Sequence, residues 1–257
     1  MRCLKTKVSF FVALFACVAS AQTLSVDEVI QKNIEARGGA EKWAAMQTFI
    51  MSGTYTAFSE PAPFKIWRKR ENKYRFDHHM VKMDAKRVYD GEKAWWVFPL
   101  MGPPHSKPVE IPSKGDHDKV TLRERFFEPV FWNAAEKGNQ VELEGVDDVD
   151  GQEAYKLKVT LADSTVENWF IDAESFLAIK MTGDTYDFGR KNALEAFFDD
   201  FREVDGLKFP FLIETEYGIR YRVFEVESVE VNAEFGDDIF AMPAAEESAE
   251  KEESKNE

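Results

Sequence analysis

Phe64-Lys65-Ile66-Trp67-Arg68-Lys69-Arg70, Lys73-Tyr74-Arg75-Phe76-Asp77-His78 and Ala94-Trp95-Trp96-Val97-Phe98 decide the fold of this 257-residue chain. In the first two, large apolar side chains recur at every second position, the period of a strand whose successive side chains point to opposite faces. In the third, Trp95 and Val97 fall on one face and Trp96 and Phe98 on the other, so a sheet containing it needs cover on both sides. The period-two reading extends to Phe49 to Ala57, Gln140 to Val146, Ala154 to Leu161, Val166 to Ile171, Leu177 to Thr182, Ala196 to Val204, Leu207 to Tyr217 and Arg220 to Val231. Asp90-Gly91, Asp150-Gly151, Asp205-Gly206 and the lone Gly218 supply turns between many of these runs. The pattern predicts a mainly β fold, an antiparallel meander of roughly ten or eleven strands.

Three segments depart from it. Leu24-Ser25-Val26-Asp27-Glu28-Val29 carries a capping box and a hydrophobic staple; Val26, Val29, Ile30 and Ile34 share one face and Gly38-Gly39 ends the run, which predicts an amphipathic helix. Met101 to Lys119 is rich in Pro and Gly and reads as a long loop. Thr121 to Ala135 reads as a second helix with Leu122, Phe126, Phe127, Val130 and Phe131 apolar, interrupted by Pro129.

The ends give the compartment. Residues 1–21 read as a secretory signal peptide: positive Arg2, Lys5 and Lys7, an apolar run from Val8 to Val18, and Ala19-Ser20-Ala21 at the cleavage point. The rival reading is a lipoprotein box, Leu14-Phe15-Ala16-Cys17, which would lipidate Cys17, although bulky Phe15 fits it poorly. Either way the protein is expected to be exported, with residues 22–243 forming one domain. Residues 244–257, with six Glu and two Lys, form an acidic tail expected to be disordered. Both cysteines, Cys3 and Cys17, lie in the leader, so a soluble mature form has no disulfide.

The net charge of −14 repels phosphate backbones and excludes nucleic-acid binding as the main role. No Gly-x-Ser-x-Gly, P-loop or dinucleotide fingerprint is present, and the Ser248 to Lys251 match lies in the tail. His78 and His79 are adjacent on a strand and point to opposite faces, so they cannot chelate one ion together. Asp147-Asp148-Val149-Asp150-Gly151 lacks calcium-loop spacing and reads as a hairpin turn. Asp116-His117-Asp118, Asp199-Asp200 and Asp237-Asp238 read as solvated loops or turn caps. No metal and no cofactor is expected.

Twenty-two Phe, six Trp and seven Tyr exceed ordinary usage; composition alone favours a sandwich that packs them all, and a curved sheet closed over by helices around an apolar cavity is the alternative. Lys69-Arg70-Glu71-Asn72-Lys73-Tyr74-Arg75-Phe76, then Tyr89-Asp90-Gly91-Glu92-Lys93-Ala94-Trp95, and the ending Phe240-Ala241-Met242-Pro243 carry a more specific likeness. In motif and in order of elements the chain resembles the periplasmic lipoprotein carrier LolA and the wider group of outer-membrane lipoprotein-sorting proteins. The resemblance implies an antiparallel open half-barrel of about eleven strands, with helices covering the concave face. It also implies a non-enzymatic carrier whose cavity takes the acyl chains of lipoproteins or other lipids. Arg70 stands where the family's Lys-Arg-Pro arginine bonds and controls the lid; Glu71 replaces the family's Pro, and Arg68 or Arg75 are alternatives for that role.

The expected lining is Phe49, Met51, Tyr55, Phe64, Ile66, Tyr74, Phe76, Trp96 and Phe98 from the strands, with Ile30, Ile34, Phe126, Phe127 and Phe131 from the lid. The set through Trp95 and Val97 is the alternative face. Expected partners are a lipid or acylated lipoprotein and membrane-bound donor and acceptor proteins, with the carrier monomeric in the periplasm. Two other readings stand beside it: an exported hydrolase or metal-dependent enzyme with a polar cleft assembled by folding, and a structural or adaptor domain anchored through Cys17.

Overall fold

The structure, a computed structural model, describes residues 24–57, 60–111, 127–187 and 190–243. The leader, the acidic tail and Phe126 lie outside the described residues. Two helices, α1 (Val26–Ala36) and α2 (Ala40–Ala45), precede one large antiparallel sheet. Its strands are β1 (Thr48–Ala57), β2 (Glu60–Lys69), β3 (Lys73–Met80), β4 (Met83–Tyr89), β5 (Ala94–Val97), β6 (Val109–Ile111), β7 (Gln140–Val149), β8 (Gln152–Thr160), β9 (Val166–Asp172), β10 (Ala178–Asp187), β11 (Arg190–Val204), β12 (Leu207–Tyr217) and β13 (Arg220–Val231). They lie in the order β6-β5-β4-β3-β2-β1-β13-β12-β11-β10-β9-β8-β7, an open sheet.

The order follows from tight turns. Each half of the chain folds as a meander, because short connections bring consecutive strands together. The halves meet where β1 pairs with β13, Phe49 opposite Val231 and Tyr55 opposite Phe224. A register shift falls between Ser52 and Gly53. At Gly53 a Cβ would lie 2.1 Å from the Glu225 carbonyl oxygen, so only glycine fits this close approach. Since β6 and β7 are the two outer strands, the chain between them must pass from one edge of the sheet to the other. Residues 127–138 of this crossing segment lie against the sheet's central core.

All eleven runs read as strands are strands, and two more are present, β4 and β6. The β3–β4 hairpin turns at Val81-Lys82, with φ of 50° and 59°, a left-handed pair with none of the residues that normally announce it. β6 is a three-residue edge strand inside the segment read as loop, whose described part also holds a 3-10 turn at Pro103–Ser106, after another at Pro99–Met101 at its start. The expected helix over Thr121 to Ala135 does not form in its described part: residues 127–138 are a chain of turns. Pro129 withholds a donor, and Asn133, at φ 47°, leaves the helical region.

Alternation gives the sheet two unlike faces. The face under the helices, here the inner face, takes Phe49, Met51 and Tyr55 from β1, Phe64 and Ile66 from β2, and Phe76 and His78 from β3. On the outer face Trp95 and Val88 are covered by the C-terminal segment through Phe240. Trp95 Nε1 donates to the Phe240 carbonyl at 2.8 Å, Arg75 donates to the Ile239 carbonyl at 2.7 Å, and Lys69 and Lys73 each reach an Asp237 carboxylate oxygen at 2.5 Å. Both faces of β5 are thus covered, by different parts of the chain.

Two outcomes are expected. Phe240→Ala should lower the unfolding free energy by about 3–5 kcal/mol, the cost of a large buried aromatic, measured by urea denaturation; a loss below about 1 kcal/mol would show that the segment does not hold β4 and β5. Burial, with Arg87, Arg222 and His79 nearby, pushes the His78 imidazole from 6.5 down to about 3. Below pH 6.5 the unfolded chain binds a proton there that the folded chain refuses. Stability therefore falls with pH by up to about 1.4 kcal/mol per unit between those values. His78→Phe should remove that slope; identical losses for both proteins between pH 7 and pH 4.5 would refute it.

Candidate functional site

The cover over the inner face is built from α1, α2 and the crossing segment. α1 starts where its sequence says: Ser25 Oγ accepts from the Glu28 amide at 3.3 Å and Glu28 Oε2 accepts from the Ser25 amide at 2.7 Å, which holds the Glu28 carboxyl below its usual value. Its apolar side, Val26, Val29, Ile30 and Ile34, packs into the main core. Beyond it Gly38, at φ 113°, passes so near the β11–β12 turn that a Cβ would stand 2.2 Å from the Gly206 carbonyl oxygen. Arg37 secures that corner: its Nε donates to the Lys208 carbonyl at 2.9 Å and its guanidinium lies 4.8 Å from the Trp43 ring. Burial brings the group down to about 10, still charged at neutral pH.

Directional polar contacts tie the pieces together. Asn33, fully buried, donates to the Phe176 carbonyl at 2.7 Å and accepts from Trp132 Nε1 at 2.8 Å, joining α1 to the β9–β10 turn and to the crossing segment. Lys137 Nζ donates to the carbonyls of Pro129 and Trp132 at 2.8 and 2.6 Å, and burial brings it down to about 8. Arg70, just past β2, is the meeting point. Its Nε donates to the Met46 carbonyl at 2.8 Å, a second nitrogen to the Trp43 carbonyl, and a third to Glu128 Oε1 at 2.6 Å, while the guanidinium lies 4.7 Å from the Phe127 ring. One side chain at the sheet margin thus holds the end of α2 and the crossing segment at once.

Arg75, an alternative by sequence, is on the outer face bonded to Asp77 and Ile239, and Arg68 lies 4.8 Å from the Tyr74 ring. Glu71 and Asn72 have φ of 67° and 62°, a turn that the family's Pro, fixed near −65°, cannot adopt.

Beneath the cover the floor is aromatic. Trp43 meets Trp132 edge-on at 5.2 Å, Phe49 meets Phe127 at 5.4 Å and Phe209 at 5.7 Å, and Phe131 meets Trp169 at 5.3 Å. Towards the other end of β1 a second group joins Tyr55, Phe64, Phe76, His78 and Phe224, with Phe76 and His78 stacked at 4.4 Å. Burial pushes the Tyr55 phenol up to about 12.

Of the residues expected to line a cavity, Phe49, Met51, Tyr55, Phe64, Phe127 and Phe131 are buried together in the main core, and Tyr74 and Trp96 in a neighbouring cluster. Ile30, Ile34, Ile66, Phe76 and Phe98 are half-buried around them. The set is brought together, and its centre is filled by the cover. The alternative set through Trp95 and Val97 lies on the opposite face, with Phe240. Sequence reasoning passed over Asn33, Arg37, Glu128 and Lys137; a polar residue inside an apolar helical stripe, as at Asn33, was the available signal.

His79 pairs with Asp84 at 2.9 Å, away from His78. Among the described residues no three His, Cys, Asp or Glu side chains are grouped to hold a metal ion. A surface recess of about 400 Å³ lies between Glu71, Lys73, Asp90 and Asp237, and another of about 620 Å³ runs along Glu142 to Asp147 on β7.

No family model and no curated protein sequence matches the chain. Solved structures do. A LolA superfamily protein from Nitrosomonas europaea aligns over 85% of this chain and 98% of its own, at 13% identity and a TM-score of 0.53. A DUF1329 family protein from Desulfovibrio piger aligns over 84% and 97%, at 13% identity and a TM-score of 0.55. An outer membrane lipoprotein-sorting protein domain from Vibrio parahaemolyticus aligns over 83% and 94%, at 9% identity and a TM-score of 0.55. With one open antiparallel sheet, helices on its inner face and these neighbours, the chain has a LolA-like fold.

Proposed function

We propose that this protein is an exported, non-enzymatic carrier that takes the acyl chains of lipoproteins or of another amphipathic lipid between its inner face and the cover. The observation that carries the reading is the contrast across that boundary. The floor is apolar and aromatic, the cover is held at its margin by Arg70 through three polar contacts, and a fringe of half-buried apolar residues, Ile66, Phe76, Phe98 and Phe224, borders the packed centre. The Vibrio neighbour, named as a lipoprotein-sorting domain, supports the same reading. Displacing the cover exposes the floor to a chain, each buried methylene contributes about 0.8 kcal/mol, and reclosure shields it from water. Arg70 is the latch, and donor and acceptor proteins at the two membranes load and unload the carrier.

Native mass spectrometry with lipid extraction, on protein purified from its own periplasmic or membrane fraction, tests this. A co-purifying lipid or acylated peptide, reduced by Phe76→Ser, is expected. Phe76 is the better target because Phe131, 1% exposed, is needed for the core itself. Bare protein that also fails to take up a fluorescent fatty acid would overturn the carrier reading. For the latch, Arg70→Met should speed release of the bound fatty acid about fivefold, from the loss of charge-assisted bonds, with Glu128→Gln shifting it less in the same direction. Unchanged release from a folded Arg70→Met protein, judged by near-UV circular dichroism, would remove Arg70 from that role.

A further inference from the structure

The chain carries a formal charge of −14, yet on four of its strands the inner face carries no carboxylate. On β3, β4, β12 and β13 the inner-face positions hold no carboxylate, while they hold Arg87, Arg220, Arg222 and the neutral imidazole of His78; the alternate positions carry Asp77, Asp84, Glu214, Glu216 and Glu225 together with Lys73, Arg75, Lys86 and Lys208. Arginines without carboxylates on the apolar inner face are the reverse of what solubility asks for.

These cations gather at the end of the inner face formed by Tyr55, Phe76 and Phe224. The Arg222 guanidinium lies 4.7 Å from the Tyr217 ring and 5.9 Å from the Tyr55 ring, both tyrosines buried. Among the described residues no carboxylate pairs with it. His78 is stacked on Phe76 and set edge-on to Tyr55 at 5.5 Å, and its Nδ1 is buried with no hydrogen-bond partner. Arg87 and Arg222 are close enough that their charges act on that imidazole. A guanidinium without a counter-ion, beside a buried ring nitrogen without a partner, is costly unless a ligand supplies the missing oxygen atoms. The adjoining Phe76 and Phe224 are part of the half-buried apolar fringe, so whatever brings an oxyanion here can also lay a hydrocarbon chain along the floor.

We propose that the cargo is an anionic lipid, an acyl chain ending in a carboxylate or a phosphate, whose oxyanion sits between Arg222 and His78 with its chain along Phe76 and Phe224. The proposal rests on the carrier reading and narrows it: the fringe gives chain affinity, and the cationic end selects the head group. Tyr55, kept as a protonated phenol by burial, does not oppose an anion there.

The test uses the full-length protein stripped of lipid and a fluorescent fatty acid displaced in turn by oleate, oleyl phosphate, methyl oleate and inorganic phosphate. Oleate and oleyl phosphate are expected to displace the probe at least about tenfold more effectively than methyl oleate, the scale of one charge-assisted contact in a partly dry site. Arg222→Met should bring that ratio to within about twofold, and Arg222→Lys should restore part of it. In the unmutated protein, oleate but not methyl oleate should shift the ¹⁵N resonance of His78 Nδ1. That arm does not depend on how the variants fold. Equal displacement by oleate and methyl oleate would overturn the head-group proposal and leave the carrier reading standing. A ratio that survives in Arg222→Met would overturn it too. Displacement by inorganic phosphate alone, as effective as by oleyl phosphate, would mean a free-anion site and refute it. Failure of the probe to bind at all would overturn the carrier reading itself.

Discussion

The pairing of β1 with β13 sets what the rest of the molecule can do. Two meanders that join through their first and last strands leave β6 and β7 at the far edges, so the chain that connects them has to traverse a face. That traverse places Phe127, Val130, Phe131 and Trp132 over Phe49 and Phe209, and it gives α1 and α2 something to dock against. The pairing needs Gly53, because the strands approach too closely there for any side chain. Among the described residues, this cover pairs with the sheet nowhere by backbone ladder. In the proposed carrier it can shift as a unit in a way that a fourteenth strand would not.

Two kinds of force divide the labour. The floor and the underside of the cover adhere through ring contacts and apolar burial, which have no strict geometry and tolerate a change of partner, including replacement by an alkyl chain. Position is fixed instead by hydrogen bonds: Asn33 between a turn and an indole, Lys137 across its own turn, Arg70 between two carbonyls and a carboxylate. The Arg70–Glu128 pair is partly exposed, with 28% and 18% of the two side chains accessible. Breaking it exchanges one partner for water at modest cost. Asn33 is fully buried and has no such exchange. In the proposed carrier the α1 side is therefore the hinge and the Arg70 side the point of release.

The strand pattern was legible because most of its turns are chemical: Asp150-Gly151 and Asp205-Gly206 take positive φ at both positions, which their sequence announces. β4 was hidden for the converse reason. Val81-Lys82 makes the same left-handed turn without glycine or asparagine, and Asp84, Lys86 and Arg87 dilute the strand's apolar alternation. The crossing segment misled because its apolar spacing is helical while its backbone over residues 127–138 is not: the spacing reports which residues are buried, and a chain of turns buries the same ones. The polar latches were harder still, since the carbonyls they bind are supplied by other segments and carry no residue signature. Which of Trp95 and Trp96 faces the helices required the register of the neighbouring strands, and the same register keeps carboxylates off the inner face of β3, β4, β12 and β13.

On the proposed carrier reading, that arrangement has an energetic consequence for the empty and the filled protein. Holding Arg222 among aromatic rings with no carboxylate partner among the described residues, and His78 Nδ1 buried without a hydrogen-bond partner among them, raises the free energy of the empty protein. A ligand that brings an oxyanion relieves this while its chain takes up apolar contact, so both parts of an amphipathic lipid favour the same closed arrangement. A neutral chain obtains only the second part, and a small anion only the first. Selectivity then comes from an unfavourable group built into the empty state, and stability given up at His78 reappears as discrimination at the head group.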